Sequence, residues 1–124
     1  MTMGKTILTV DDSRTMRDML KLALCDAGHT VIQADDGVHG VEVLRDAGLV
    51  DVIITDINMP RMDGFGFIDQ VRRDPRNRAI PILVLTTETE PAKKQRARDA
   101  GATGWIVKPF DPAKLLAAVR RVAP

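Results

Sequence analysis

Two hydrophobic periods take turns along this chain. Short β-branched runs, uninterrupted by charge, alternate with longer stretches whose apolar residues recur every three or four positions. Uninterrupted runs of four to six residues predict strands buried on both faces, and the 3.6-residue period predicts helices packed on one side. Lys5 to Val10 reads as the first strand. Ser13 to Ala27 follows as a helix, with Met16, Met19, Leu20, Ala23, Leu24 and Ala27 on one face, Asp12 or Ser13 as its cap and Gly28 as its stop. Thr30 to Gln33 is a second strand, and Gly37 to Ala47 a second helix with Val38, Val41 and Leu44 inward. Val50 to Thr55 is the most apolar run and is therefore placed at the centre of the sheet.

Turn chemistry fills Asn58-Met59-Pro60 through Asp63-Gly64. A third helix runs from Phe65 to Arg72 with Phe67, Ile68 and Val71 inward, and a basic loop with Pro75 leads to a fourth strand, Ile80 to Leu85. Pro91 to Ala100 is a helix ended by Gly101, Gly104 to Val107 is the fifth strand, and Asp111-Pro112 opens a last helix reaching about Arg121. Five strands alternating with five helices predict an α/β fold: one doubly wound parallel sheet with helices on both faces, in a single domain over residues 1–124. Such sheets bind ligands beyond the carboxyl ends of their strands.

Composition narrows the class without changing the fold. The chain has 124 residues, 44% hydrophobic and 28% charged, with a net charge of +1. Those values suit one soluble globular domain and give no global field for nucleic acid. Cys25 stands alone, so no disulfide framework exists, and a reducing cytoplasmic setting is expected. Met1 to Lys5 lacks an apolar leader, and no run approaches the roughly 18 apolar residues of a membrane span.

The charged residues that close the strands carry the chemistry. Asp11-Asp12 follows the first strand, Asp56 the third and Lys108-Pro109 the fifth. In a parallel sheet these ends share one edge, so three carboxylates and one ammonium converge. Each signal alone is also compatible with a cap or a solvated strand end. Together the three carboxylates would repel, and a divalent cation with Lys108 brings the formal charge to zero. A carboxylate beside such a cation can attack phosphorus. Thr86 ends Ile82-Leu83-Val84-Leu85 on the same edge and offers a hydroxyl to a phosphoryl oxygen.

The ordered set Asp11-Asp12-Ser13, Thr55-Asp56-Ile57-Asn58-Met59-Pro60, Met62-Asp63-Gly64, Thr86 and Lys108-Pro109-Phe110 resembles the receiver domains of two-component response regulators, most of all the stand-alone chemotaxis (CheY-like) type. The resemblance runs from about Lys5 to Val122. It implies a flavodoxin-like fold and a signalling protein that assists only its own phosphorylation and dephosphorylation. Asp56 would accept a phosphoryl group from a CheA-like histidine kinase. Mg²⁺ would be held by Asp12 and Asp56 directly, by the Asn58 main-chain carbonyl, and by Asp11 largely through water. Lys108 and Thr86 would form the phosphate-responsive pair, and the Lys108-Pro109 bond is often cis in this family. Asn58 and Glu88, two positions after Asp56 and Thr86, would tune dephosphorylation. Trp105 occupies the place of an aromatic switch residue. It is bulkier than the usual tyrosine and can only donate a hydrogen bond.

The helix from Pro91 to Ala100 has only alanines as apolar residues and carries Lys93, Lys94, Arg96 and Arg98. Lys94 and Arg98, four apart, share a face. This is either a solvated surface or a docking site for an acidic partner. In the chemotaxis type, the surface of the fourth helix, fifth strand and fifth helix binds the flagellar motor switch, and there the helix is usually more apolar. The expected outputs are the motor switch, a role as phosphate sink or relay shuttle, or binding of a kinase or other regulator, with the protein a monomer. The chain ends just past the last helix, so a receiver without an attached DNA-binding effector is expected. A haloacid-dehalogenase-type phosphatase also uses an aspartyl-phosphate, but needs Asp-x-Asp after the first strand, where this chain has Asp11-Asp12-Ser13.

Overall fold

In the computed structural model, which describes residues 4–124, five parallel strands form one sheet in the order β2-β1-β3-β4-β5. They are β1 (Thr6–Val10), β2 (Thr30–Ala34), β3 (Val52–Thr55), β4 (Ile82–Thr86) and β5 (Gly104–Val107). The helices between and after them are α1 (Arg14–Asp26), α2 (Gly37–Ala47), α3 (Gly64–Arg73), α4 (Pro91–Ala100) and α5 (Pro112–Val122). The expected doubly wound architecture is present, and the most apolar strand is central. Residues 1–3, part of the expected domain and of the stretch expected to lack an apolar leader, lie outside the described residues. Among the described residues no helix is long and apolar enough to cross a membrane.

Alternation within the buried strands builds two cores. Leu8, Ile53, Ile82 and Val84 face α2, α3 and α4, with Phe67 and Ile68 filling that side. Ile7, Val52, Ile54, Leu83 and Leu85 face α1 and α5, against Leu20, Leu24, Leu115 and Val119. Burying large apolar side chains on both faces contributes about 1.5–3 kcal/mol each and fixes the strand register.

Several local expectations shift. Of the two caps left open for α1, Ser13 is the one used, accepting from the Met16 amide. The α1 face is narrower than its period suggests: Leu20 and Leu24 are buried, but Met19 is 46% exposed and lies with Leu22 and Leu116 along a surface groove beside Phe110. Helix α2 buries Gly37, Gly40 and Leu44 rather than a row of valines. A Cβ at Gly40 would stand 2.8 Å from the Phe67 ring, so the missing side chain lets α2 meet α3. Strand β3 starts two residues late, because the Asp51 side chain takes the Thr6 amide at 2.8 Å. Strand β4 starts after Pro81, whose carbonyl still accepts from Ile53.

The strand order reverses between β1 and β3, which wind in opposite directions from the middle of the sheet. That is the switch point at which open α/β sheets form their crevice. Asp11 and Asp56 are the residues that follow these two strands.

Candidate functional site

The backbone sets the two buried carboxylates side by side. The Asp56 amide donates to the Val10 carbonyl at 2.9 Å, continuing the β1–β3 ladder one step past the strand, and the Asp11 amide donates to Ala34 at 3.1 Å. Lys108 is brought in from β5 by its amide, which donates to the Thr86 carbonyl at 2.8 Å. The peptide bond from Lys108 to Pro109 is cis. Lys108 Nζ then donates to Asp11 Oδ2 and to Asp56 Oδ2, both at 2.7 Å. The other oxygens take main-chain donors: Asp11 Oδ1 accepts from Ser13 at 2.9 Å and Asp56 Oδ1 from Ile57 at 2.6 Å.

Asp11 is 1% exposed and Asp56 8% exposed, whereas Asp12 is exposed. Burial pushes the Asp11 carboxyl above the usual carboxylate range, against the opposing pull of Lys108 and the Ser13 amide. Burial alone would depress Lys108, but its hydrogen bonds to Asp11 and Asp56 outweigh that, so its ammonium is held above the ordinary range. One ammonium therefore serves a pocket with an excess of negative charge.

Asp11, Asp12 and Asp56 each offer a carboxylate oxygen, and these atoms all lie within 4.8 Å of one another. Hard oxygen donors at this spacing fit a divalent cation such as Mg²⁺, which takes carboxylates together with water. Gly64, at the start of α3, closes the floor: a Cβ there would come within 2.3 Å of the Asp56 carbonyl, so only glycine lets α3 begin so close to the site.

The remaining candidates lie around this centre in two groups. Thr86 is fully buried at the end of β4, and its hydroxyl accepts from the Glu88 amide at 3.2 Å. Among the described residues it makes no hydrogen bond to the carboxylates. Asn58 is exposed on the loop after β3. Glu88 pairs with Lys93 of α4 at 3.1 Å, and that ammonium, with a contribution from the Asn58 side chain, holds its carboxyl below the usual range.

Lys94 and Arg98 do not reach the acidic cluster. They line a shallow recess with Trp105, which is half-buried on β5 opposite Val84. Among the described residues neither makes an ion pair, while Arg96 lies over the Phe65 ring, 4.1 Å from its centroid. The basic character expected of the whole helix thus divides: Lys93 and Arg96 contact Glu88 and Phe65, and Lys94 and Arg98 line the recess.

One pair beside the site was missed in the sequence. Asp36, 4% exposed, caps α2 and receives a two-pronged contact from Arg61 on the loop after β3. Asp36 was recognisable as a cap before a helix, but nothing in the local pattern links it to Arg61, 25 residues away.

A family profile described as the response regulator receiver domain matches residues 7–120. The chain is 43% identical over 107 residues to the chemotaxis protein CheY1 of Helicobacter pylori, covering 86% of each chain. It resembles the solved chemotaxis response regulator CheY4 of Vibrio cholerae with a TM-score of 0.90 and 47% identity, over 98% of this chain and 99% of that one. The receiver domain of a sensor histidine kinase from Pseudomonas aeruginosa, solved with a magnesium ion coordinated in its active-site cleft, matches with a TM-score of 0.86 and 26% identity, over 97% and 98%. With its strand order, its acidic switch point and these matches spanning nearly its whole length, the chain belongs to the response regulator receiver domain family.

Proposed function

We propose that residues 1–124 act as a stand-alone receiver that takes a phosphoryl group from a histidine kinase onto Asp56 and signals in bacterial chemotaxis. The observation that carries this reading is the Lys108 ammonium, 2.7 Å from both Asp11 and Asp56 at the sheet's switch point. Both carboxylates have their two oxygens engaged, and Asp56 is the more exposed of the pair, at 8% against 1% for Asp11. An Asp56 oxygen attacks phosphorus, the P–N bond of the phosphohistidine breaks, and its electron pair returns to the imidazole.

Asp11, Asp12, Asp56 and the Asn58 main-chain carbonyl would hold Mg²⁺. The ion supplies neutralising charge at the phosphoryl oxygens. Lys108, already donating to Asp56, would stabilise charge on the same oxygens. The Thr86 hydroxyl leaves the Glu88 amide to meet a phosphoryl oxygen. Glu88 and Asn58 govern access of water to the adduct. The output face is α4, β5 and α5, where Lys94, Arg98 and Trp105 form the recess and Lys93 ties α4 to Glu88. Lys94 and Arg98 favour an acidic partner, and the flagellar motor switch, which the resemblance to the chemotaxis type implies, is the first candidate. The protein works as a cytoplasmic monomer.

Intact-mass measurement after treatment with Mg²⁺ and a small phosphodonor tests the reading. The wild type gains about 80 Da, the mass of one phosphoryl group. Asp56→Asn abolishes the gain, and an adduct that persists in that variant overturns the assignment.

A further inference from the structure

Asp36 and Arg61 lie beside the acidic cluster without belonging to it. Arg61 Nε and Nη2 donate to Asp36 Oδ2 and Oδ1 at 2.6 and 3.0 Å, a fork-to-carboxylate contact in which geometry as well as charge is specified. Asp36 Oδ1 also accepts from the His39 amide at 2.9 Å as the cap of α2, so the carboxylate is fixed from behind. One residue on, the Gly37 amide donates to the Met62 carbonyl at 3.1 Å. A Cβ at Gly37 would stand 2.5 Å from that oxygen. The start of α2 and the loop after β3 are therefore held together by an ion pair and a main-chain bond at adjacent positions.

That loop has an uncommon backbone. Arg61 has a φ of 63°, and it is the only non-glycine residue at positive φ among the described residues. Side-chain-bearing residues keep such a conformation where their surroundings over-determine it. On the other side the loop is anchored by Ile57, 1% exposed, whose carbonyl accepts from Gly64 at 2.8 Å. Residues 58–61 hang between these two anchors. Among the described residues no hydrogen bond restrains the Asn58 main-chain carbonyl, so its direction follows from these anchors and from the packing of Met59 and Met62 against the core.

We propose that Arg61 is a positioning residue for the divalent cation: its fork on Asp36 fixes the 58–61 turn so that the Asn58 carbonyl is presented to the acidic cluster. This rests on the reading of that carbonyl as a ligand. It adds a requirement on two residues that touch neither the cation nor the phosphoryl group. The contact differs from a general electrostatic effect in sign. A nearby arginine acting through charge alone opposes a cation, so its removal would tighten binding, whereas loss of a positioning contact loosens it.

Calorimetric titration of the full chain with MgCl₂ tests the proposal. Arg61→Gly keeps the positive φ at no steric cost and removes the fork. Arg61→Lys keeps the charge and loses the fork. Asp36→Asn keeps a capping oxygen and loses the charge. Each is expected to weaken Mg²⁺ binding by about fivefold, below or near the low end of what outer contacts of metal ligands contribute. Arg61→Gly combined with Asp36→Asn is expected to weaken it no further, because both remove one contact.

Unchanged or tighter binding in Arg61→Gly overturns the proposal, as do additive effects in the double variant. Asp12→Ala is the control for the site itself. If it abolishes binding while Arg61→Gly and Asp36→Asn bind as the wild type does, this inference alone falls. If Asp12→Ala leaves binding intact, the metal assignment falls and takes this inference with it.

Discussion

Helices α3 and α4 are ten residues each and stand side by side over the same face of the sheet, yet they are held there by different physics. Helix α3 buries Phe65, Phe67, Ile68 and Val71 and is capped by Asp63. Helix α4 buries only Ala97, and its capping position, Glu90, makes no side-chain cap. What fixes α4 instead is a set of polar contacts from long side chains. Lys93 reaches Glu88, Arg96 covers Phe65, and the Arg72 guanidinium of α3 donates twice to the Gly101 carbonyl at the end of α4, at 3.2 and 2.8 Å. The Lys93–Glu88 pair and the Arg96–Phe65 contact contribute about 0–1 kcal/mol each, and the part-buried Arg72 bonds somewhat more. The difference separates duties: α3 is a fixed wall for the loop that carries Asn58, and α4, bordering Trp105, is the element that can shift at low cost.

The comparison breaks most visibly if α3 proves not to be core-anchored. Phe67→Ala is expected to destabilise the fold by about 3–5 kcal/mol, the range for deleting a buried aromatic side chain. Urea unfolding followed by circular dichroism checks this, with a lowered midpoint and an unchanged slope. A loss under about 1 kcal/mol would place α3 with α4 as a loosely held element.

Phe67 is also where the sequence was easiest to read. Its inward direction follows from the spacing of Phe67, Ile68 and Val71, and the strand runs were equally plain because buried parallel strands leave no room for charge. The carboxyl ends of β1, β3 and β5 were legible for the same reason, and a parallel sheet leads from those ends to the clustering of Asp11, Asp56 and Lys108. Contacts between elements were not legible. Arg96 reads as part of a uniformly basic helix, and only the fold brings Phe65 beneath it. Arg61 reads as a turn residue, and only the order β2-β1-β3 brings Asp36 beside it. Periodicity reports which side of an element is buried, and it is silent about which polar side chain meets which across a gap of tens of residues.

A smaller effect tests the ionic anchor on the α3 side of the site. The hydrogen bond from Arg61, aided by the His39 amide, holds the Asp36 carboxyl below the usual carboxylate range. A carboxylate depressed in the fold stabilises it fully above its unfolded value, near 3.9, and loses that contribution as pH falls through the lower folded value. Asp36→Asn is expected to cost about 1 kcal/mol near neutral pH, given that Arg61 is half exposed and screened by solvent. The gap between wild type and variant should close only as pH falls below the ordinary carboxylate value and through the lower folded one, where Asp36 itself becomes neutral. Urea midpoints measured for both proteins from neutral to acid pH check this, since other carboxylates titrate in both and cancel. A gap independent of pH would mean that the pair contributes shape and not charge.

The smallest effect bears most directly on α4. Arg96 is the one side chain of α4 seated on an aromatic ring of α3, and an exposed contact of this type contributes about 0.5–1 kcal/mol. Arg96→Ala is therefore expected to change global unfolding by no more than that. Locally the consequence differs, because α4 has little else to hold it: its amides should exchange with deuterium several-fold faster in the variant, while those of α3 keep their protection. Hydrogen exchange followed by mass spectrometry on peptides covering Pro91–Ala100 and Gly64–Arg73 separates the two helices. If both accelerate together, α3 and α4 open as one unit, and the division between wall and movable element is wrong. If α4 alone accelerates, then a partner that engages Lys94 and Arg98 binds an element whose position costs little to change. Through Lys93 and Glu88 that element adjoins the rim of the site where Asn58 lies, so a partner's hold on α4 has a short path to the chemistry at Asp56.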